Sequence, residues 1–254
     1  MSRFAGKVAV VTGAGRGIGA ATSQLIAAEG GRVAVCDVEL ALAEQTADGL
    51  GAAGLSAANA QPYGYDLSKP ANCEQLVADV VGQFGRVDVL VNSAGVCPRV
   101  AIEDMTEEVF DSIMNINLKS IFFLSRAAGD AMATHGWGRI VNLSSVGGRT
   151  GGVYRATVYA ASKAGVISMT KAFARHYAPH GILVNSVAPG SVDTRMMHEG
   201  VTDEARQAQI DASPLKRLST PEEQAEVVAF LASEANTYIT GTTVDANGGA
   251  LMPD

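Results

Sequence analysis

A chain of 254 residues, 47% of them hydrophobic, can bury one large core and has an ordinary length for a single α/β domain. A formal net charge of -7 leaves no Lys/Arg stripe for a polyphosphate backbone, which excludes a sequence-independent nucleic-acid partner. No apolar stretch approaches the roughly 20 residues that span a bilayer and no cleavable leader pattern opens the chain, so no membrane partner and a cytoplasmic location are expected.

The first strand is the apolar run from Val8 to Val11, whose lack of polar alternation predicts burial on both faces. Thr12-Gly13-Ala14-Gly15-Arg16-Gly17-Ile18-Gly19 follows it and opens a helix near Ile18 that reaches Glu29. Residues without a Cβ let the backbone approach a diphosphate, whose charge then meets the positive end of that helix. Gly15-x-Gly17-x-x-Ala20 fits the dinucleotide fingerprint, and Gly13, Gly17 and Gly19 fit a looser Gly-x-x-x-Gly-x-Gly spacing. Gly30-Gly31 closes the helix, and Arg32 to Cys36 forms a second strand whose apolar run ends at Asp37, placed to accept hydrogen bonds from a ribose.

Further on, a helix is predicted from Leu40 to Leu50, a loop from Gly51 to Ala60 and a third strand near Gln61 to Tyr65. Asp66-Leu67 leads into a helix opening at Ser68 with Pro70 in its first turn. Val87 to Asn92 is the fourth strand, with the small-residue turn Asn92-Ser93-Ala94-Gly95 after it. Thr106 to Thr134 reads as helical, with Asn115 and Asn117 interrupting an apolar face. Arg139 to Leu143 is a fifth strand ending in Ser144-Ser145, a Gly-rich segment leads to a helix over Val158 to Ala178, and Ile182 to Val187 is a sixth strand ending at Pro189-Gly190. Ser191 to Leu218 lacks strong periodicity and reads as a flexible flap over a site. Thr220-Pro221-Glu222-Glu223 is a capping box opening a helix to Ser233, and Thr243 to Ala246 is the seventh strand.

This alternation implies a single domain, a Rossmann-type doubly wound parallel sheet of seven strands with helices on both faces and ligands at the strands' carboxyl ends. Cys36, Cys73 and Cys97 lack CxxC spacing, so no metal or disulfide is expected. Tyr159 and Lys163 stand four apart, on one helical face. A phenol titrates near about 10, so it becomes a base at neutral pH only where a cation such as Lys163 stabilises its phenolate.

With Thr12 to Gly19, Asp66, Asn92 to Gly95, Asn117, Ser145, Tyr159, Lys163, Pro189-Gly190 and Thr194 in this order, the chain resembles the short-chain dehydrogenase/reductase family over essentially its whole length. The resemblance implies Tyr159 as acid/base and Ser145 as the hydroxyl holding the substrate oxygen. It implies Lys163 as the group that lowers the tyrosine pKa and binds the nicotinamide ribose, and Asn117 as the anchor of a proton-relay water. Cofactor contacts are implied for Gly13, Gly15, Arg16, Gly17, Ile18, Gly19, Asp37, Val38, Asp66, Leu67, Asn92, Ala94, Gly95, Tyr159, Lys163, Pro189, Gly190, Val192 and Thr194. Two departures stand out: Ser93 replaces a usual Asn, and Ser145 lies fourteen residues before Tyr159, one more than is common, which makes Ser144 a rival.

Asp37 favours NAD over NADP, because its carboxylate repels an added ribose phosphate and Val38 supplies no cation; Arg16 is the counter-argument. Substrate residues implied by position are Ser145, Cys97, Arg155, Tyr159, Met196 and Met197, with Val96, Arg99, Arg149, Tyr154 and His198 nearby. They suit a small secondary alcohol, diol, polyol or cyclic alcohol and its ketone. The alternative is 3-oxoacyl reduction on an acyl carrier protein, against which Gly136-Trp137 and His180 stand where docking arginines would be sought. A second alternative is a non-catalytic nucleotide-binding regulator. A homotetramer is implied by the resemblance alone.

Overall fold

The computed structural model describes residues 2–52 and 59–253 of the chain. In order they form β1 (Val8–Thr12), α1 (Gly17–Ala28), β2 (Arg32–Asp37), α2 (Leu40–Ala52), β3 (Ala60–Gly64), α3 (Pro70–Phe84) and β4 (Val89–Asn92). Then come α4 (Glu107–Met114), α5 (Ser120–Ala133), β5 (Gly138–Leu143), the single turn α6 (Gly147–Thr150), α7 (Thr157–Tyr177) and β6 (Ile182–Pro189). The turn α8 (Arg195–His198), α9 (Asp203–Ala212), α10 (Pro221–Ala232) and β7 (Thr243–Ala246) complete the chain. The loop expected over Gly51 to Ala60 falls mostly on 53–58, outside the described residues.

The seven strands make one parallel sheet in the order β3-β2-β1-β4-β5-β6-β7. Because successive strand side chains face opposite ways, Val8 and Val10 join one core while Ala9 and Val11 join the other. Ala9, Val11, Val33, Val35, Val89 and Val91 pack with Ile26 of α1, Ala43 of α2 and Val228 of α10. Val8, Val10, Leu90 and Ile140 pack with Leu76 of α3, Leu124 of α5 and Phe173 of α7. Each such side chain contributes about 1.5–3 kcal/mol on full burial. Strand order reverses between β1 and β4, so the crevice beyond their carboxyl ends is where this architecture binds ligands.

The capping box forms as the sequence predicts: the Thr220 hydroxyl accepts from Glu223 N and the Glu223 carboxylate accepts from Thr220 N. The segment read as a flexible flap, Ser191 to Leu218, carries α8 and α9. Helix α9 has no apolar stripe to read, but Thr202 caps it by accepting from Ala205 N, and Asp203 and Glu204 in its first turn complement the helix dipole. Among the described residues, no helix is long and apolar enough to cross a membrane, and no group of three His, Cys, Asp or Glu could hold a metal ion.

Candidate active site

The turns after β1 and β4 are pressed together. Gly13 adopts φ +61°, and a Cβ on it would stand 2.7 Å from Ala94 Cα. A Cβ on Gly19 would stand 2.2 Å from Gly13 O, so α1 packs directly against the turn only because residue 19 is glycine. The Thr12 hydroxyl accepts from Ser93 N and Ala94 N, each at 3.2 Å, fastening the second turn to the first strand. Whereas Thr106, Thr202 and Thr220 cap their helices, α1 begins at Arg16 with no side-chain cap. Its first-turn N–H groups therefore lack side-chain partners and suit an anionic diphosphate.

Asp37 ends β2 and is nearly buried, its carboxylate accepting from Gly15 N at 3.0 Å and Glu39 N at 3.1 Å. Arg16 bonds Glu39 at 2.6 Å, a pairing not foreseen from sequence that engages the one cation of the glycine loop. Val38 is exposed beside them and Leu67 is buried under the site. Asp66 accepts from the backbone N–H and the hydroxyl of Ser68, which holds its carboxyl below the usual range. Asn92 is buried, its amide donating to Asn142 Oδ1 at 2.8 Å and Ser125 Oγ at 3.2 Å while its own Oδ1 has no partner.

Between α4 and α5 the helix opens into a π-turn, Asn115–Lys119, a feature common at functional sites. Asn117 is fully buried within it and donates its amide to Val96 O and Ser162 Oγ, so the side chain expected to anchor a water is engaged by protein. A Cβ on Gly95 would lie 3.3 Å from Asn117 Oδ1 and 3.5 Å from Lys163 Nζ. Lys163 is buried, with Nζ donating to Leu143 O at 2.7 Å and standing 5.7 Å from the centre of the Tyr159 ring. Burial pushes its pKa down to about 8. Burial likewise pushes Tyr159 up to about 12.

Of the two candidate serines, Ser144 donates its hydroxyl to Lys163 O at 2.9 Å. Ser145 accepts from Gly147 N at 3.0 Å, which leaves its own proton available to a bound oxygen beside Tyr159. Both line a cavity of about 1000 Å³, its open mouth included, that also takes in Ile18, Gly95, Cys97, Met196 and Met197. Pro189, Gly190, Val192 and Thr194 form its far wall.

Arg155 does not join them. It is exposed, with φ +61° beside Tyr154 at φ +52°, a consecutive left-handed pair that turns the loop outward. Arg149 is held by Asp245 at 2.8 Å and His198 by Asp193 at 2.7 Å. Arg99, Val153 and Gln209 line the cavity instead. Gln209 went unseen in the sequence because α9 did.

A family model described as enoyl-(acyl carrier protein) reductase matches residues 13–250. The 3-oxoacyl-[acyl-carrier-protein] reductase FabG of Vibrio cholerae is 42% identical over 247 residues, 97% of this chain and 98% of that protein. The human (3R)-3-hydroxyacyl-CoA dehydrogenase is 39% identical over 257 residues, 99% of this chain and 98% of that protein. A Sinorhizobium meliloti crystal structure, provisionally titled a short-chain alcohol dehydrogenase, superposes with a TM-score of 0.91 at 34% identity over 97% of each chain. Similarity across the whole length of relatives that act on CH–OH groups makes the chain a nicotinamide-dependent oxidoreductase, a member of the short-chain dehydrogenase/reductase family.

Proposed function

We propose that the chain interconverts a 3-oxoacyl thioester and its 3-hydroxyacyl counterpart with NAD(H). The observation that carries the chemistry is that Ser145, Tyr159 and buried Lys163 line one cavity, with Lys163 Nζ 5.7 Å from the centre of the Tyr159 ring. The thioester is supported by the names of the relatives, which agree on an oxygen at C3 while differing in the carrier. They favour it over the small alcohol or polyol expected from the sequence. NAD(H) is supported by Asp37, fixed by Gly15 N and Glu39 N, and by the engagement of Arg16 with Glu39.

A nicotinamide dinucleotide held at the Gly13 to Gly19 turn and Asp37 would supply or accept the hydride at C3. In reduction, Tyr159 arrives protonated, since burial holds its pKa up, and its hydroxyl gives the proton to the carbonyl oxygen. Ser145 donates a hydrogen bond to the same oxygen and stabilises charge developing there. The phenolate left on Tyr159 is stabilised by the Lys163 ammonium until solvent returns a proton. Oxidation runs the same proton the other way.

A homotetramer accounts for apolar side chains left exposed on α4 and α5, Phe110 and Phe122, and near the C-terminus, Tyr238 and Met252. Sedimentation as a monomer refutes it.

Initial rates with acetoacetyl-CoA, an acetoacetyl-carrier protein and a panel of secondary alcohols and polyols, each with both cofactors, test the reading. A thioester kcat/KM about ten-fold or more above the best simple alcohol is expected. Faster turnover of a polyol restores the small-alcohol reading.

A further inference from the structure

Two polar groups on the cavity wall have nothing to bond. Arg99 Nε and Gln209 Nε2 are both buried and without a hydrogen-bond partner, although buried donors in folded proteins are nearly always satisfied. Neither belongs to the Ser145, Tyr159 and Lys163 group, yet all five residues line the same cavity.

The surroundings of Arg99 hold it in place. Its stem packs under Gly200, where a Cβ would stand 3.0 Å from Arg99 Cγ, and its Nη1 donates at 3.5 Å to Val153 O. The residue thus touches both other loops that frame the cavity, from a loop of its own after β4. Among the described residues it forms no salt bridge, so its charge faces the cavity without a carboxylate. Arg99 and Tyr159 line the same cavity, so the guanidinium and the reacting hydroxyl border one space. Gln209 is oriented from the opposite side: Ser191 Oγ donates to its Oε1 at 3.1 Å, turning the Nε2 donor away from Ser191.

A guanidinium Nε and an amide Nε2, both buried atoms without a partner, match a ligand oxygen that is anionic or strongly polarised. We infer that Arg99 and Gln209 are specificity-determining residues that receive the oxygen at C1 of the substrate, while Ser145 and Tyr159 receive the oxygen at C3. This rests on the 3-oxoacyl reading and deepens it. A 3-oxoacyl chain carries its second oxygen one methylene away from the reacting carbon, whereas a plain ketone leaves both donors orphaned. The C1 oxygen can belong to a thioester or to a free 3-oxo carboxylate, and Arg99 serves both.

The test compares wild type with Arg99→Met, Arg99→Lys and Gln209→Leu on three substrates: the N-acetylcysteamine thioester of acetoacetate, free acetoacetate and cyclohexanone. For Arg99→Met, KM for whichever C1-oxygen substrate the wild type uses should rise about 10- to 100-fold, while kcat changes far less. Cyclohexanone kinetics and NADH affinity by fluorescence titration should stay near wild type. Arg99→Lys should recover part of the loss, more for acetoacetate than for the thioester, because an ammonium keeps the charge and loses the fork. Gln209→Leu should give a smaller KM rise and covers the case in which Arg99→Met does not fold. A wild type that ignores both 3-oxo compounds refutes the substrate reading itself. If it reduces them and Arg99→Met and Gln209→Leu leave KM unchanged, or cyclohexanone suffers equally, this assignment alone falls.

Discussion

Asn117 and Val96 are joined by a reciprocal pair of hydrogen bonds: Val96 N donates to Asn117 Oδ1 at 2.8 Å and Asn117 Nδ2 donates to Val96 O at 2.9 Å. The side chain substitutes for a neighbouring strand just where β4 has run out. It holds the loop bearing Cys97 and Arg99 against Ser162, whose hydroxyl in turn donates to Tyr159 O. Asn117→Ala should therefore loosen the cleft wall and destabilise the fold together. Losing the two part-buried hydrogen bonds to the Val96 backbone costs about 0.5–1.5 kcal/mol each, readable by urea denaturation, and kcat/KM should fall with KM as the larger part.

Removing the phenolic proton should abolish the chemistry and spare the fold. Tyr159→Phe is expected to lower kcat by about 10²–10⁴-fold while NADH binding and melting temperature stay close to wild type. Retained turnover would show that another group moves the proton.

The two pKa displacements fix the sign of the pH response. Alcohol oxidation requires the Tyr159 phenolate, and a pKa raised to about 12 makes that form scarce at neutrality, so oxidation should climb with pH. Reduction requires protonated Tyr159 and cationic Lys163; with Lys163 near 8, reduction should fall as pH rises through that value. Opposed pH profiles for kcat/KM in the two directions, measured in one buffer series, are the expected result.

Cofactor choice should follow the Asp37 carboxylate. Asp37→Ala is expected to lower kcat/KM for NADH and raise the NADPH to NADH ratio about ten-fold, since a fixed negative charge near the ribose is lost. Glu39→Gln should act in the same direction more weakly by freeing Arg16. An unchanged ratio in both variants would remove the basis for preferring NAD(H).

A stability prediction lies far from the site. A Cβ on Gly129 of α5 would stand 2.3 Å from Tyr177 Cζ of α7, and that ring is itself held, its hydroxyl 2.8 Å from Asp130 Oδ1. Gly129→Ala should cost about 1–3 kcal/mol by forcing two packed helices apart, with activity per folded molecule unchanged. Equilibrium denaturation against wild type measures it.

The linear order of residues determined the sheet and its binding edge. The unbroken apolar run Val8 to Val11 reads as a strand covered on both faces and the glycines after it as a sharp turn into a helix, while the structure shows Gly13 and Gly19 too crowded for a Cβ. The Tyr159 and Lys163 pairing was equally legible, because helical spacing alone puts both on one face of α7. Those are local rules, acting over a turn or a pleat. Helix α9 escaped them, since a polar helix held by a Thr202 cap leaves no periodic trace. Only the tertiary structure decided that Asn92 would bond to β5 and α5, that Glu39 would engage Arg16, and that Arg99 and Gln209 would line one cavity, each with a donor left unpaired. These residues are brought together by parallel strands whose order differs from chain order, and a partner's identity then depends on which loops the sheet sets side by side.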